Sequence, residues 1–256
     1  MPFNYIDLPT AKEQKGLRMV VVAGLPSPWS EAAKGIFHLK KLPWSAVYLN
    51  PKDNELAQWT GSRNAPVAIY NNEPARSGWA DILFLAERLS SSPPLLPSDP
   101  KERALAMGLS HEICGEMGLG WTRRLEGVHK GLNNSGGFPK EIAQYLAHKY
   151  GYQPEQAPEY QQRIVTILTM LSEQLKSQKE NGSRFYIGSS VSMVDIYSAT
   201  FMAYFKPLPA AQCPMYDVIR TVFETMDDQI AEALDPILLE HRDFIYSEFL
   251  ELPLSL

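Results

Sequence analysis

Residues 17–42 read LRMVVVAGLPSPWSEAAKGIFHLKKL, and the fold of the chain can be worked out from this stretch. Residues 17–23 form a continuous apolar run with consecutive valines, which predicts a buried strand. Residues 24–30 are rich in Gly, Pro and Ser and predict a turn. Residues 31–42 carry apolar side chains at helical spacing and stop before Pro43, so they predict a helix. A strand followed by a turn and a helix indicates the start of an α/β unit.

The next elements extend this unit into a sheet. Strands are predicted at residues 44–49 and 66–70, and Asn71-Asn72 predicts a hairpin turn into a short fourth strand. Residues 79–89 predict a helix with one apolar face. Strand, helix and strand favour a parallel crossover and the hairpin adds an antiparallel pair, so we expect a mixed four-stranded sheet. Residues 91–100, rich in Ser and Pro, predict a linker.

The pattern is helical from residue 101 to residue 256, with no convincing strand. A long helix is predicted over 101–126, bent near Gly115–Gly120, and a strongly periodic one over 160–181. We therefore predict an N-terminal extension, an α/β domain, a linker and an all-helical domain at residues 1–16, 17–90, 91–100 and 101–256.

Composition narrows the class of protein. The chain has 24 basic and 29 acidic residues and a formal net charge of −5, which argues against a nucleic-acid partner. Its two cysteines, Cys114 and Cys213, lack the spacing of a metal site or a disulfide framework, so we expect no metal and a reducing, cytoplasmic location. The N-terminus does not resemble a signal peptide, and no apolar run reaches the length of a membrane helix, so no membrane partner is expected.

Three short motifs occur in a characteristic order. Ser27-Pro28-Trp29-Ser30-Glu31 follows the first strand, and Asn64-Ala65-Pro66-Val67 precedes the third. Ser192-Met193-Val194-Asp195 follows Phe185-Tyr186-Ile187-Gly188 and has the Ser and Asp spacing of a capping box. From about Leu17 to about Leu250, this layout is similar to the glutathione transferase family, which joins a thioredoxin-like domain to a helical domain.

The resemblance implies a fold, a co-substrate and roles for several residues. Glutathione would bind the thioredoxin-like domain and react with a small apolar electrophile, in a homodimer. Ser27 stands where omega-type members have a cysteine. Ala65, ahead of a cis Pro66, would pair with the backbone of glutathione. The capping box of Ser192 and Asp195 would be structural.

Ser27 has two interpretations that the sequence leaves open. Serine before proline is a favourable helix start, with Ser27 as N-cap and Pro28 at the first helical position. A helix N-terminus also favours a thiolate, and a hydroxyl of Ser27 or Ser30 can donate to the sulfur of a bound thiol. Because neither position is a cysteine, this turn cannot form the mixed disulfide of a glutaredoxin-type oxidoreductase.

The chain departs from the family ahead of its second predicted helix. Members usually have an acid and a serine here, which hold the γ-glutamyl end of glutathione, but this chain has Arg76 and Ser77. If the helix is shifted by one residue, Gly78 takes the serine's position and no hydroxyl remains. Arg76 is then either a surface charge or a direct anchor for a ligand carboxylate.

The second substrate would lie against the predicted helix that carries His111 and Trp121, with Trp29 nearby. His111 can equally be a histidine without a catalytic role, and Trp121 can plug a domain interface. Cys114 is interpreted as a buried residue without a role in catalysis. Two functions remain: a glutathione transferase in which Ser27 stabilises the thiolate, or a catalytically degenerate member that binds partners as a scaffold.

Overall fold

The computed structural model describes residues 5–256 of the chain. The chain divides into two compact units. The first holds the residues through Leu96 together with Leu208–Tyr216 and Tyr246–Leu256, and the second holds Pro97–Pro207 and Asp217–Ile245. The helical domain predicted as residues 101–256 therefore differs from the second unit, because two C-terminal segments group with the sheet.

The first unit is built on a four-stranded mixed sheet of strands β1 (Tyr5–Ile6), β2 (Leu17–Val21), β3 (Trp44–Tyr48) and β4 (Val67–Tyr70). The strand order is β1-β3-β2-β4; β1 and β2 both run parallel to β3, and β4 runs antiparallel to β2. The predicted mixed four-stranded sheet is confirmed. β2 lies in the middle and is buried along its whole length, as its valine run predicts.

The source of the fourth strand was predicted wrongly. The residues after Asn71-Asn72 form only an isolated bridge between Ala68 and Arg76, and the edge strand comes instead from Tyr5–Ile6. The segment predicted as an extension is part of the domain from Tyr5 onward, because its next helix buries Ala11 against the sheet core.

Four helices belong to this unit, namely α1 (Leu8–Glu13), α2 (Pro28–Leu39), α3 (Asn54–Thr60) and α4 (Trp79–Leu89). The apolar face of α2 is buried, with Ile36 and Phe37 at 1% and 0% exposure. On α4, Ile82, Leu83 and Leu85 are buried in the same way. This burial fixes α2, and hence its N-terminus, on the sheet.

Residues 100–249 contain eight α-helices and, among the described residues, no strand. They are α5 (Pro100–Cys114), α6 (Leu119–Leu132), α7 (Lys140–Tyr150), α8 (Ala157–Glu180), α9 (Met193–Phe201), α10 (Asp217–Glu224), α11 (Asp228–Ala233) and α12 (Pro236–Phe249). The helix predicted over 101–126 is in fact two helices. A Cβ on Gly118 would lie 2.7 Å from the carbonyl oxygen of Glu112, so the break between α5 and α6 requires glycine there.

None of the helices within residues 5–256 combines the length and apolar character that a membrane span requires.

Candidate functional site

Ser27 sits at the N-cap of α2, as the sequence predicts, but its side chain does not cap the helix. Its backbone is extended, with φ −67° and ψ 112°, and Pro28 occupies the first helical turn. The Ser27 carbonyl accepts from the Glu31 amide at 2.8 Å, whereas no side-chain capping bond is formed. The residue is 5% exposed. Its hydroxyl is therefore left for another partner at the positive end of the helix dipole.

Ser30, the second serine of the motif, lies one turn further along α2. It is fully buried, and its Oγ has no hydrogen-bond partner among residues 5–256. A buried hydroxyl without a partner costs free energy. The structure thus places Ser27, with its slight exposure, closer to a ligand-accessible surface than Ser30.

The Ala65-Pro66 motif lies at the end of the sheet where α2 begins. The peptide bond between these residues is cis, as the resemblance implies. β4 begins at Val67, which pairs with Val20 near the end of β2, where the chain leaves the sheet toward Ser27. The register therefore brings the cis-proline and the start of α2 to one edge of the sheet.

Tyr216 joins this region from the C-terminal part of the chain. A Cβ built on Gly24 would lie 2.8 Å from Tyr216 Cε2 and 3.2 Å from its hydroxyl oxygen. Gly24 has φ +76°, so glycine is needed there for conformation as well as for space. Tyr216 is itself 68% exposed. Its ring covers the turn ahead of Ser27 and presents a hydroxyl that sequence reasoning missed, since no local pattern links it to the turn.

A buried ion pair supports the first turns of α2. The Lys34 ammonium lies 2.5 Å from Glu31 Oε1 and donates to the carbonyl of Ser255 at 2.7 Å. Desolvation by burial raises the pKa of the Glu31 carboxyl, and the attraction of Lys34 opposes that rise. The site helix is therefore attached to the C-terminal residues through charges that solvent scarcely reaches.

The predicted carboxylate anchor is engaged within the protein. The Arg76 guanidinium lies 2.9 Å from Glu73 Oε2 and donates to the Pro74 carbonyl at 2.9 Å. Ser77 is exposed and does not cap α4, whose N-cap is Gly78 without a side-chain bond. The N-cap position of α4 therefore carries no hydroxyl.

The predicted second-substrate residues fall in different units. His111 is exposed on the last turn of α5, and Trp121 is half-buried, with its ring edge-to-face on Tyr150 at 4.8 Å. Trp29, in the first turn of α2, belongs to the first unit. Cys114 is 3% exposed, and burial raises the pKa of its thiol. That thiol is held in its unreactive, protonated form.

The capping box is present at the start of α9. Asp195 Oδ2 accepts from the amide and the hydroxyl of Ser192, both at 2.8 Å. Asp195 Oδ1 accepts from the Tyr186 amide and from His241 Nε2, both at 2.9 Å. With no exposed area and four donors, the Asp195 carboxylate has a structural role in the second unit. His241 is a partner that the sequence motif does not reveal.

The residues the structure describes include no group of three or more His, Cys, Asp or Glu side chains placed to hold a metal ion.

A thioredoxin-like sheet with a cis-proline at its edge, joined to a helical unit, is an architecture found among solved glutathione S-transferases. The chain is similar to the enzyme of Methylobacterium radiotolerans in complex with glutathione sulfonate, at 18% identity, with 91% of both chains covered and a TM-score of 0.59. It is also similar to that of Methylobacillus flagellatus with glutathione bound, at 13% identity, 91% and 95% coverage and a TM-score of 0.63.

Omega 3C glutathione transferase of Trametes versicolor shares 15% identity, with 94% of this chain and 89% of that chain covered and a TM-score of 0.58. The chain therefore has the glutathione S-transferase fold, and the resemblance seen in the sequence is confirmed at that level.

Sequence comparison is more limited. Glutathione S-transferase U11 of Arabidopsis thaliana is 30% identical over 86 residues, which span 32% of this chain and 36% of the relative. The match thus covers about a third of the length of that curated relative. No protein-family model matches the chain.

Proposed function

We propose that the chain is a glutathione transferase that binds glutathione at the start of α2 and transfers it to a small apolar electrophile. The observation that carries the proposal is Ser27, an N-cap residue whose hydroxyl forms no capping bond. The sulfur of a thiol bound there would accept a hydrogen bond from this hydroxyl and would lie at the positive end of the helix dipole. Both interactions favour the thiolate form. Two of the similar structures contain glutathione or glutathione sulfonate, which supports this class of ligand.

Two further residues near the start of α2 would contact the ligand. Ala65, before the cis Pro66, would pair with the backbone of the ligand. Tyr216, whose hydroxyl lies beside Gly24, would supply a second donor near the sulfur. Catalysis would rest on proximity and on stabilising the thiolate. On the first unit, the electrophile would contact Trp29, in the first turn of α2.

Binding of the γ-glutamyl end of glutathione would require Arg76 to break its ion pair with Glu73. Arg76 would then pair with the carboxylate of the ligand, and Ser77 would lie beside that carboxylate. Glu73 can be released because Arg88 Nη2 holds the same oxygen at 2.5 Å.

The engagement of Arg76 by Glu73 and the lack of a hydroxyl at Gly78 favour a second candidate, a member of the fold that has lost catalysis and acts as a scaffold.

Binding of glutathione distinguishes the two candidates. A ligand that binds only the folded state raises apparent stability, by about 2.7 kcal/mol at one hundred times its Kd. We expect glutathione to raise the melting temperature, and Ser27→Ala to lower the turnover of a chlorodinitrobenzene electrophile. The exposed loop variant Ser135→Ala is the control and should match the wild type. If millimolar glutathione leaves the melting temperature unchanged, the transferase proposal is wrong and the scaffold remains. The homodimer implied by the family is tested separately by sedimentation.

A further inference from the structure

The second unit contains a cavity of about 220 Å³ that lies between α8 and α12 and belongs to no part of the proposed thiol site. Every lining residue falls within Pro97–Pro207 or Asp217–Ile245. Since an apolar cavity of about 150 Å³ already accommodates benzene, this one has room for a substituted aromatic ring.

The apolar part of its wall comes from both helices. Leu175 on α8 is 4% exposed, and Ile237 and Phe244 on α12 are half-buried. Side chains of this kind form the body of most small-molecule sites, in which a few polar groups set the orientation of the ligand.

The first of these polar groups is His241, which lines the cavity. Its side chain is 3% exposed, and Nε2 lies 2.9 Å from Asp195 Oδ1. Because a carboxylate only accepts, Nε2 carries a proton in this contact, and Nδ1 is an acceptor when it carries none. This Nδ1 has no hydrogen-bond partner among residues 5–256 and almost no accessible area, so a ligand in the cavity reaches it only after the His241 ring shifts toward the cavity. A buried acceptor without a partner is costly, and a ligand that donates to it removes the cost.

The second polar feature is a pair of cations at the opening. Lys179 and Arg184 are exposed and line the cavity, and neither forms an ion pair with another described residue. The Arg184 guanidinium carbon lies 3.5 Å from the centroid of the Phe244 ring. Stacking of this kind leaves the N–H groups at the edge of the guanidinium plane available to a carboxylate. Glu240 is the acidic residue among the lining side chains.

From these features we propose that the cavity is a binding site for small aromatic carboxylates that carry a hydroxyl group. The carboxylate pairs with Arg184 and Lys179, the ring lies against Leu175 and Phe244, and the hydroxyl donates to His241 Nδ1. This site is separate from the thiol site, and ligand binding here requires no glutathione.

Isothermal titration of the full chain with 4-hydroxybenzoate, without glutathione, tests the site. We expect benzoate, which lacks the hydroxyl, to bind about 2-fold to 10-fold more weakly, because one buried hydrogen bond contributes about 0.5 to 1.4 kcal/mol. Arg184→Ala should weaken binding about 5-fold by removing a charge-assisted bond, and Arg184→Lys should restore part of it. Glu240→Gln should strengthen binding, because it removes the repulsive charge.

Lys101→Ala, which removes an exposed lysine of α5, is the matched control and should bind as the wild type does. Saturating glutathione should leave the affinity unchanged. Absence of binding at millimolar ligand would mean a cavity that holds only water, and would overturn the proposal. Equal affinity in Arg184→Ala, or competition by glutathione, would place the ligand elsewhere and overturn it too. Arg184 is exposed, so its variants are expected to fold.

Discussion

Helices α2 and α9 both begin at a serine N-cap, but only α9 engages the serine with its own residues. At α9, Ser192 gives both its amide and its hydroxyl to the Asp195 carboxylate. At α2, the Ser27 side chain forms no capping bond, and the nearby Ser30 hydroxyl is buried without a described partner. One helix start is completed within the protein, whereas the other retains donors that a ligand can use.

The surroundings of the two helix starts account for this difference. α9 lies fully buried, so every polar group at its start needs an internal partner. α2 starts with Pro28, which has no N–H to satisfy, and carries Ser30 at the position that Asp195 holds in α9. Ser27 and Ser192 are almost equally buried, at 5% and 4% exposure, so exposure does not separate the two helix starts. A helix start with a carboxylate at its third residue can be completed within the protein, whereas a start without one leaves donors that can bind an anion.

Removal of the Asp195 carboxylate should give the largest effect. Asp195→Ala leaves the amides of Ser192 and Tyr186 and the ring of His241 without their acceptor inside the second unit. We expect the free energy of unfolding to fall by about 3 kcal/mol or more, as measured by urea denaturation. The control is Asp81→Ala, which removes an exposed first-turn aspartate of α4 and should cost about 1 kcal/mol or less. Similar losses in both variants would contradict the structural role of Asp195.

The Ser27 hydroxyl should affect activity far more than stability. In Ser27→Ala, turnover of a chlorodinitrobenzene electrophile should fall about 100-fold, as it does when one donor to a developing anion is removed. The free energy of unfolding should change by less than about 0.5 kcal/mol, because no capping bond is lost, whereas Ser192→Ala should cost about 1 kcal/mol. Steady-state kinetics and urea denaturation of both variants give the comparison. A stability loss in Ser27→Ala equal to that in Ser192→Ala would show that the two caps act alike.

The elements that the sequence predicted well are those whose signals are local. The valine run predicts β2, the Ser27-Pro28 pair predicts the start of α2, and the Ser192 to Asp195 spacing predicts the capping box. Each of these patterns lies within a few residues of the element it specifies, so one short window contains the whole signal.

The features that sequence reasoning missed depend on contacts between distant parts of the chain. β1 has only two residues, too few for any periodicity, and its pairing with β3 is decided by the folded sheet. The position of Tyr216 over Gly24 and the bond from Lys34 to Ser255 also join remote segments. The engagement of Arg76 by Glu73 was missed for another reason, since side-chain pairing on a turn leaves no pattern in the sequence.

The Glu31 carboxyl should make stability depend on pH. Because burial raises its pKa above the ordinary value of 4.5, the folded state binds more protons than the unfolded state between those two pKa values. Stability of the wild type should therefore fall as pH rises above 4.5 through that window, and Glu31→Gln should flatten this dependence. Urea denaturation across this pH range measures it. Glu55→Gln, which changes an exposed partner of Lys12, should keep the wild-type slope. An unchanged slope in Glu31→Gln would exclude Glu31 as its source.

Ser30→Ala should give the smallest effect, and in the opposite direction to a lost cap. The Ser30 hydroxyl is buried in α2 without a described partner, so its removal takes away a desolvation cost and breaks no hydrogen bond. Alanine also has the higher helix propensity, and we expect the free energy of unfolding to rise by up to about 0.5 kcal/mol. Urea denaturation of Ser30→Ala and of Ser192→Ala measures this, because the free energy of unfolding should rise in the first variant and fall in the second. A loss of about 1 kcal/mol in Ser30→Ala would mean that this hydroxyl does have a partner, and the contrast between the two helix starts would then rest on Ser27 alone.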